Sequence, residues 1–295
     1  MKQNIESKYP YSANLFRFCR RILDDKHGGV RVIDQDVGQI LGFDPADCSH
    51  WKKGRKNVRS VHAVKSIANH LGIDERLIVD VATGEISENE AFHEYAGYGA
   101  YQVDPKLQEK ARKDYYRNHA SQWNENQEHA FREAFYPNKT KILAIVDDIH
   151  KKILFEEAPL YLPEVVTAHQ RIRIQPGPEE AEQNVTSEKN GEQLNIVVRK
   201  GAEVRPFTRY QIAVEMAKAF LPDQSEERAS LSDFAKHLNS VEANLFAAAL
   251  LAPAHMIRKE IKNTDPTKDI ITQLAEIFWV SRGFMARRVQ EILSN

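Results

Sequence analysis

Residues 33–59 read IDQDVGQILGFDPADCSHWKKGRKNVR, and this string decides how the first third of the chain folds. Asp34 is placed to N-cap a helix whose apolar positions Val37, Ile40 and Leu41 share one face, and Gly42 stops it. Asp44-Pro45 opens a second helix: an aspartate accepts from the unsatisfied N–H groups of a first turn, and proline at the first helical position loses no hydrogen bond. That helix, residues 45–53, turns Cys48 and Trp51 inward and ends at Gly54. Two short helices joined by Gly42-Phe43-Asp44 have the length and turn of a helix-turn-helix. From Trp51 to Arg59 run five positive charges and no acid, which suits phosphates on both sides of a groove but would serve equally as a solvated basic turn.

On either side the helical periodicity continues. Leu15, Phe16, Cys19, Ile22 and Leu23 form a stripe over residues 12–25; Val61, Val64, Ile67, Ala68 and Leu71 do so over 60–71, and a fifth short helix spans 74–81. Five such helices make a compact bundle over residues 1–83. Residues 84–137, Tyr-rich at first, read as a connector with one long helix from Pro105 to Phe135. From residue 138 the pattern is α+β. Helices are expected at 139–154 and after Pro163, and strands at 171–175 and 194–199. The polar stretch PEEAEQNVTSEKNGE (178–192) between those strands reads as a loop. Helices follow at 207–221, 231–238, 240–251, 253–261 and 268–292, the last broken near Val280-Ser281. The fold class is therefore mostly α: a five-helix N-terminal bundle, a helical connector, and an α+β domain with a small sheet.

The 295 residues suffice for two domains, and 42% hydrophobic with 28% charged residues is an ordinary globular composition. Net charge is −1, which excludes a uniformly basic chain, yet residues 1–83 hold 14 Lys/Arg against 10 Asp/Glu, so an anionic partner belongs at that end. Two cysteines exclude a disulfide scaffold. The longest apolar stretch, Leu245 to Ile257, is interrupted by Pro253 and His255 and is too short to span a bilayer. The polar start Met1-Lys2-Gln3-Asn4 lacks an apolar signal segment, so a cytoplasmic protein that meets no membrane is expected.

The blocks Ile33 to Gly42, Cys48 to Gly54 and Ile67-Ala68-Asn69-His70-Leu71-Gly72-Ile73 resemble the XRE (lambda-repressor-like) helix-turn-helix family over about 65 residues. That resemblance implies double-stranded DNA, an operator, as partner, with the second helix entering the major groove by its N-terminal end. Gln35 matches the glutamine that contacts phosphate in this family. Ala46, Asp47, Ser49 and His50 would face bases, and Lys52, Lys53, Arg55 and Lys56 would hold the backbone. Gly38 stands where alanine is usual, which weakens its helix slightly. Asp47 puts a carboxylate near the groove, able to accept from a cytosine amino group but repelled by phosphate.

A second resemblance covers about residues 139–292. Arg205 to Leu221, Val241 to Pro253 and Leu274 to Val289 resemble the active helix, the following helix and the closing helices of the ImmA/IrrE metallopeptidase family. Its His-Glu-x-x-His motif sets two histidines on one helix face to grip zinc, its glutamate activates the metal-bound water, and a glutamate on the next helix completes the ligands. Here Val214 and Lys218 stand in the histidine positions, while Glu215 and Glu242 match the two glutamates. Valine has no lone pair, and a protonated lysine repels a dication. The family chemistry is therefore not expected, and neither metal nor cofactor is implied. Lys218 is expected either to fill part of the vacated space and pair with Glu242, and with Glu215 three residues earlier, or to reach out to solvent.

His150, His169, His237 and His255 have no partners at ligand spacing, and His93-Glu94 has Gly97 where a second histidine would stand. The Val280-Ser281 break has a helix-turn-helix look, with Arg282, Arg287 and Arg288 nearby; core packing with exposed arginines explains it more simply. The expected function is a sequence-specific transcriptional regulator, a homodimeric repressor in its simplest form. Its degenerate, pseudo-peptidase domain would sense a small-molecule or protein effector or mediate assembly. The alternatives are a zinc metalloprotease with atypical ligands, or an interaction protein such as an antitoxin or a phage or defence-element component.

Overall fold

The fold comes from a computed structural model that describes residues 7–28, 30–96, 101–119, 135–179, 181, 183–202, 205–222 and 232–293. The chain is mostly helical with one three-stranded sheet, and it divides into two compact units, Met1–Tyr98 and Gly99–Asn295.

The first unit is built from α1 (Pro10–Lys26), α2 (Asp34–Leu41), α3 (Pro45–Lys52), α4 (Val61–Leu71), α5 (Glu75–Thr83) and α6 (Glu88–Ala96). Asp44 accepts from the Ala46 N–H at 2.7 Å and Ser60 from the Ala63 N–H at 3.2 Å, so both act as side-chain caps. Gly42, Gly72 and Gly84 close α2, α4 and α5 at positive φ. Asp34 does not cap α2: it is the first helical residue, and its carboxylate pairs with Lys52 at 2.6 Å and Arg20 at 3.3 Å. The sequence pattern missed α6. It packs on α1 through an Arg17–Glu88 ion pair, an Arg21–Asn89 hydrogen bond, and the Arg21 guanidinium 3.9 Å from the Phe92 ring centre. Part of the connector thus belongs to this unit.

The second unit comprises α7 (Pro105–His119), α8 (Lys139–Lys152), α9 (Leu162–Ala168), β1 (Ile172–Gly177), β2 (Val185–Asn190), β3 (Gln193–Arg199), α10 (Pro206–Phe220), α11 (Ser232–Leu251), α12 (Ala254–Glu260), α13 (Ile270–Ile277) and α14 (Arg282–Leu293). The expected long helix is present over α7; its continuation through 120–134 lies outside the described residues. Leu107, Ala111 and Tyr115 of α7 pack with Phe135, Phe234 and Leu238, and His237 of α11 accepts the Asp104 N–H at 2.9 Å.

β3 is central, parallel to β1 and antiparallel to β2. β2 lies inside the stretch read as a loop. Only Val185 of its residues is buried, so it carries almost no hydrophobic signal, yet it pairs with β3 through a two-residue turn whose Gly191 has φ +62°. Leu194, Ile196 and Val198 are the buried positions of β3. Helix α10 packs on β2 and β3, α11 on α10, and α8 on α11. α11 is one continuous helix where two were expected, because Asn239 and Ser240 are poor helix formers that still fit an uninterrupted ladder. Arg288, expected on the surface, is buried: it donates to the Ala252 carbonyl at 2.9 Å and pairs with Glu291, which also holds Lys139 at 2.7 Å. Arg282 pairs with Asp269 at 3.0 Å. No single helix among the described residues is long and apolar enough to cross a membrane.

His150 of α8 is buried, and its Nε2–H donates to the Leu250 carbonyl of α11 at 3.0 Å. A carbonyl only accepts, so this nitrogen carries the proton of a neutral ring. Burial lowers the His150 pKa from the ordinary 6.5. The native state therefore binds fewer protons than the unfolded one, and stability falls as pH drops through 6.5. His169 is shifted the same way, also chiefly by burial. His150→Gln is expected to reduce, not abolish, the loss of thermal stability between pH 7.5 and 5.5, followed by circular dichroism; an unchanged pH slope would refute this account of the residue.

Candidate functional site

Two places hold the residues singled out by sequence. The first is the outer face of α2 and α3. Cys48 and Trp51 point inward as expected: the Trp51 ring packs against Phe16 and Phe43, and its Nε1–H donates to the Ser12 carbonyl at 2.7 Å. Burial raises the Cys48 thiol pKa, with Asp47 adding to it, so the group is a packing atom rather than a nucleophile. With those two fixed inward, helical geometry leaves Ala46, Ser49, His50, Lys52, Lys53 and Arg55 exposed, and Gln35 exposed on α2.

Their charges are partly spent within the face. Lys52 pairs with Asp34 at 2.6 Å, and Lys56 with Asp47. Asp47 is thus screened by a cation that sequence assigned to phosphate. No ion pair of Lys53 or Arg55 is seen among the described residues. A concavity of about 250 Å³ lies beside the α2–α3 turn, and Lys56, Asn57, Ser60, His62 and Ser66 contribute to its wall. Sequence reasoning passed over the last four; the one available signal was Ser60, the cap of α4.

The close approach of α2 and α3 depends on Gly38. A Cβ there would lie 2.8 Å from Cys48 Sγ and 3.0 Å from the Phe43 carbonyl oxygen. The glycine that looked like a mild weakness in α2 is the space into which the Cys48 thiol packs.

The second place is the cleft between α10 and α11. Val214, Lys218 and Glu242 line one cavity of about 410 Å³, so the structure brings together three of the four residues read as a degenerate site. Glu215 points to the edge strand instead: Ser187 of β2 donates to its carboxylate. Lys218 Nζ lies 2.5 Å from Glu215 and 3.0 Å from Ser187 Oγ, with about half its side chain exposed. The expected pairing is thus met at Glu215 but not at Glu242. Glu242 is buried and accepts the Asn138 N–H at 3.3 Å, at the N-terminus of α8. Sequence reasoning missed Ser187 and Lys189, because both belong to the strand it did not see. Lys189 lines the cavity and donates to the Lys218 carbonyl at 2.9 Å.

Arg209 holds α10 in position. Its guanidinium is buried and donates to the carbonyls of Leu160 (2.6 Å), Phe278 (3.3 Å) and Trp279, while lying 4.4 Å from the Trp279 ring centre. Burial lowers its pKa to about 10. At the next residue, the Tyr210 hydroxyl donates to Asn244 of α11 at 2.7 Å, fixing the two cleft helices to each other.

Residues 196–290 match the family model for the IrrE N-terminal-like domain, Peptidase M78. The match runs from β3 into α14 and contains α10 and α11, the two helices of the cleft. It is shorter than the resemblance over 139–292 and does not reach the first unit. No curated protein and no solved structure matches the chain. Such a domain implies zinc at the α10–α11 site, and the donor set here does not fit it: Val214 offers no lone pair and Lys218 is an ammonium already paired with Glu215. Among the described residues no three His, Cys, Asp or Glu side chains gather as metal ligands.

Two outcomes follow. Gly38→Ala is expected to destabilise the first unit by about 1 kcal/mol, since overpacking at Cys48 and Phe43 outweighs the gain in helix propensity. Cys48→Ala in the same chain should recover most of that loss in urea titrations; purely additive effects would contradict the packing account. In the IrrE-like domain, Val214→His with Lys218→His is expected to bind one zinc per chain after dialysis, with Glu242 as third ligand, whereas the parent chain binds none by elemental analysis. A full equivalent of zinc in the parent would overturn the assignment of the cleft.

Proposed function

We propose that the chain is a sequence-specific, DNA-binding transcriptional regulator, a cytoplasmic repressor in its simplest form, whose IrrE-like domain is a pseudo-peptidase that senses an effector or mediates assembly. The first unit is then an XRE-type helix-turn-helix, with 84–137 acting as connector. The observation that supports this most is the division of α3. Cys48 and Trp51 are locked into the core, while Ser49, His50, Lys53 and Arg55 are presented outward beside Gln35 of α2.

In this reading α3 meets the major groove by its N-terminal end, with Ala46, Asp47, Ser49 and His50 toward the bases. Lys52, Lys53, Arg55 and Lys56 hold the phosphates. A phosphate must share or displace the exposed Lys52–Asp34 and Lys56–Asp47 pairs, which costs little because exposed ion pairs contribute only about 0.2–1 kcal/mol. Displacing Lys56 also frees Asp47 to accept from a cytosine amino group. One module buries too little surface for specificity, so a homodimer on a two-fold site is expected. Peptide hydrolysis by the metal mechanism is disfavoured because the two histidine positions hold Val214 and Lys218.

The test is selection of bound sequences from random duplexes, followed by fluorescence-anisotropy titration between 50 and 200 mM salt. Lys53→Ala with Arg55→Ala should weaken binding to every sequence and lower the salt slope by about 2, one unit for each phosphate no longer neutralised. His50→Ala should instead change which sequences are preferred. Unchanged affinity in the double variant would refute the placement of α3.

A further inference from the structure

We infer that the outer face of α7 binds the phosphate backbone of duplex DNA without regard to sequence, which gives the second unit a nucleic-acid surface of its own. The inference goes beyond the reading of α3 and does not depend on it.

α7 carries five Lys/Arg against two Asp/Glu in 15 residues, in a chain whose net charge is −1. Its inward side is fixed by Leu107, Ala111 and Tyr115, which pack with Phe135, Phe234 and Leu238. Lys106, Lys110, Lys113 and Arg117 follow one another at spacings of four, three and four residues. At about 100° per residue, they fall within an arc of about 60° on the far side of the helix. All four are exposed. The acids Glu109 and Asp114 lie outside that arc, one on each flank. The stripe is about 16 Å long, a span over which duplex DNA presents about ten phosphates.

The charge of the stripe is available to a partner. Lys113 pairs with Glu109 at 2.7 Å and Arg117 with Asp114 at 3.5 Å, and each of these side chains is more than half exposed. Such exposed pairs are weak, so a phosphate can share them. Lys106 and Lys110 have no ion pair among the described residues.

The rest of the helix narrows the kind of polyanion. A helix that lies on a bilayer inserts an apolar face, and the apolar face of α7 is already spent on Phe135, Phe234 and Leu238. Single strands are held by stacking their bases on aromatic rings set among cations, and this stripe holds only Lys and Arg. A straight row of cations suits a rigid polyanion that carries its phosphates on the outside.

Fluorescence anisotropy on the full chain tests this with a labelled, random-sequence duplex of about 40 base pairs, titrated between about 50 and 200 mM salt. Lys106→Gln with Lys110→Gln keeps good helix formers at both positions and is expected to lower the salt slope by about 2. The same decrement is expected when Lys53→Ala and Arg55→Ala are already present. Glu109→Gln releases Lys113 and is expected to tighten binding about twofold, a gain that misfolding cannot produce. An unchanged slope in the Lys106, Lys110 variant overturns the inference, as does unchanged or weaker binding by Glu109→Gln. Tighter binding of a single strand of the same length overturns it, and so does tighter binding of vesicles containing phosphatidylserine. The two DNA readings fail separately. If selection returns no preferred sequence, the operator reading falls while the α7 decrement on random duplex stands. If selection succeeds and the decrement is absent, only the α7 surface falls.

Discussion

The architecture of the second unit depends on a buried cation that has no carboxylate beside it among the described residues. Arg209 is satisfied by three backbone carbonyls and an indole face, and the burial that lowers its pKa to about 10 measures how strongly the surroundings resist its charge. Such a group persists only where its acceptors are held in place, and these acceptors come from two separate segments. Leu160 precedes α9, and Phe278 and Trp279 end α13. The carbonyls at the end of a helix are the unsatisfied, partly negative ones, so α13 offers a ready seat for a guanidinium. Trp279 takes φ +50°, unfavourable for a bulky residue, and its cation–π contact and carbonyl hydrogen bond with Arg209 are the compensation visible in the structure. Because Arg209 lies on α10, this seat also sets where Val214, Glu215 and Lys218 face.

The first unit has a constraint of another kind. Its two candidate DNA-facing helices approach closely enough that α2 has no room for a methyl group at residue 38 opposite the Cys48 thiol. Trp51, one turn after Cys48, is fastened to Ser12 of α1, and the same serine's hydroxyl accepts the Val58 N–H at 3.0 Å. The orientation of α3 is therefore decided by buried groups on one side, and its exposed side is free of packing constraints. That separation of packing from presentation keeps the surface residues of α3 from contributing much to stability.

How much of this was legible in the sequence follows from where the signals are local. Asp44-Pro45, Gly42 and Gly54 mark helix ends through backbone chemistry, and each marks one in the structure. The apolar stripe of α1 and the inward pair Cys48 and Trp51 were readable because burial imposes a helical period. β2 was not, since an edge strand held mainly by backbone pairing to β3 needs little hydrophobic pattern; Asn190-Gly191 was its only mark. Missing β2 also hid Ser187 and Lys189, which reach the cleft only because the hairpin folds back beside α10. Arg288 was misplaced because an arginine with a carbonyl and a carboxylate in reach is stable where an unpaired one is not, and the carbonyl comes from a distant part of the chain. Of the two carboxylates weighed as partners of Lys218, Glu215 is met and Glu242 is not.

The cleft helices show how neighbouring carboxylates can be held by protein groups alone. A single zinc would compensate Glu242 and orient the neighbouring residues together, so its removal would be expected to leave a buried carboxylate unsupported. Here the two carboxylates are compensated separately. Glu215 is met by Lys218 and Ser187 on the strand side, and Glu242 by a backbone N–H at the positive end of α8. Neither arrangement needs an ion between the helices. With Val214 contributing only apolar surface, the space between α10 and α11 remains a cavity with both apolar and charged residues in its wall. Folding therefore does not require the cleft to be filled.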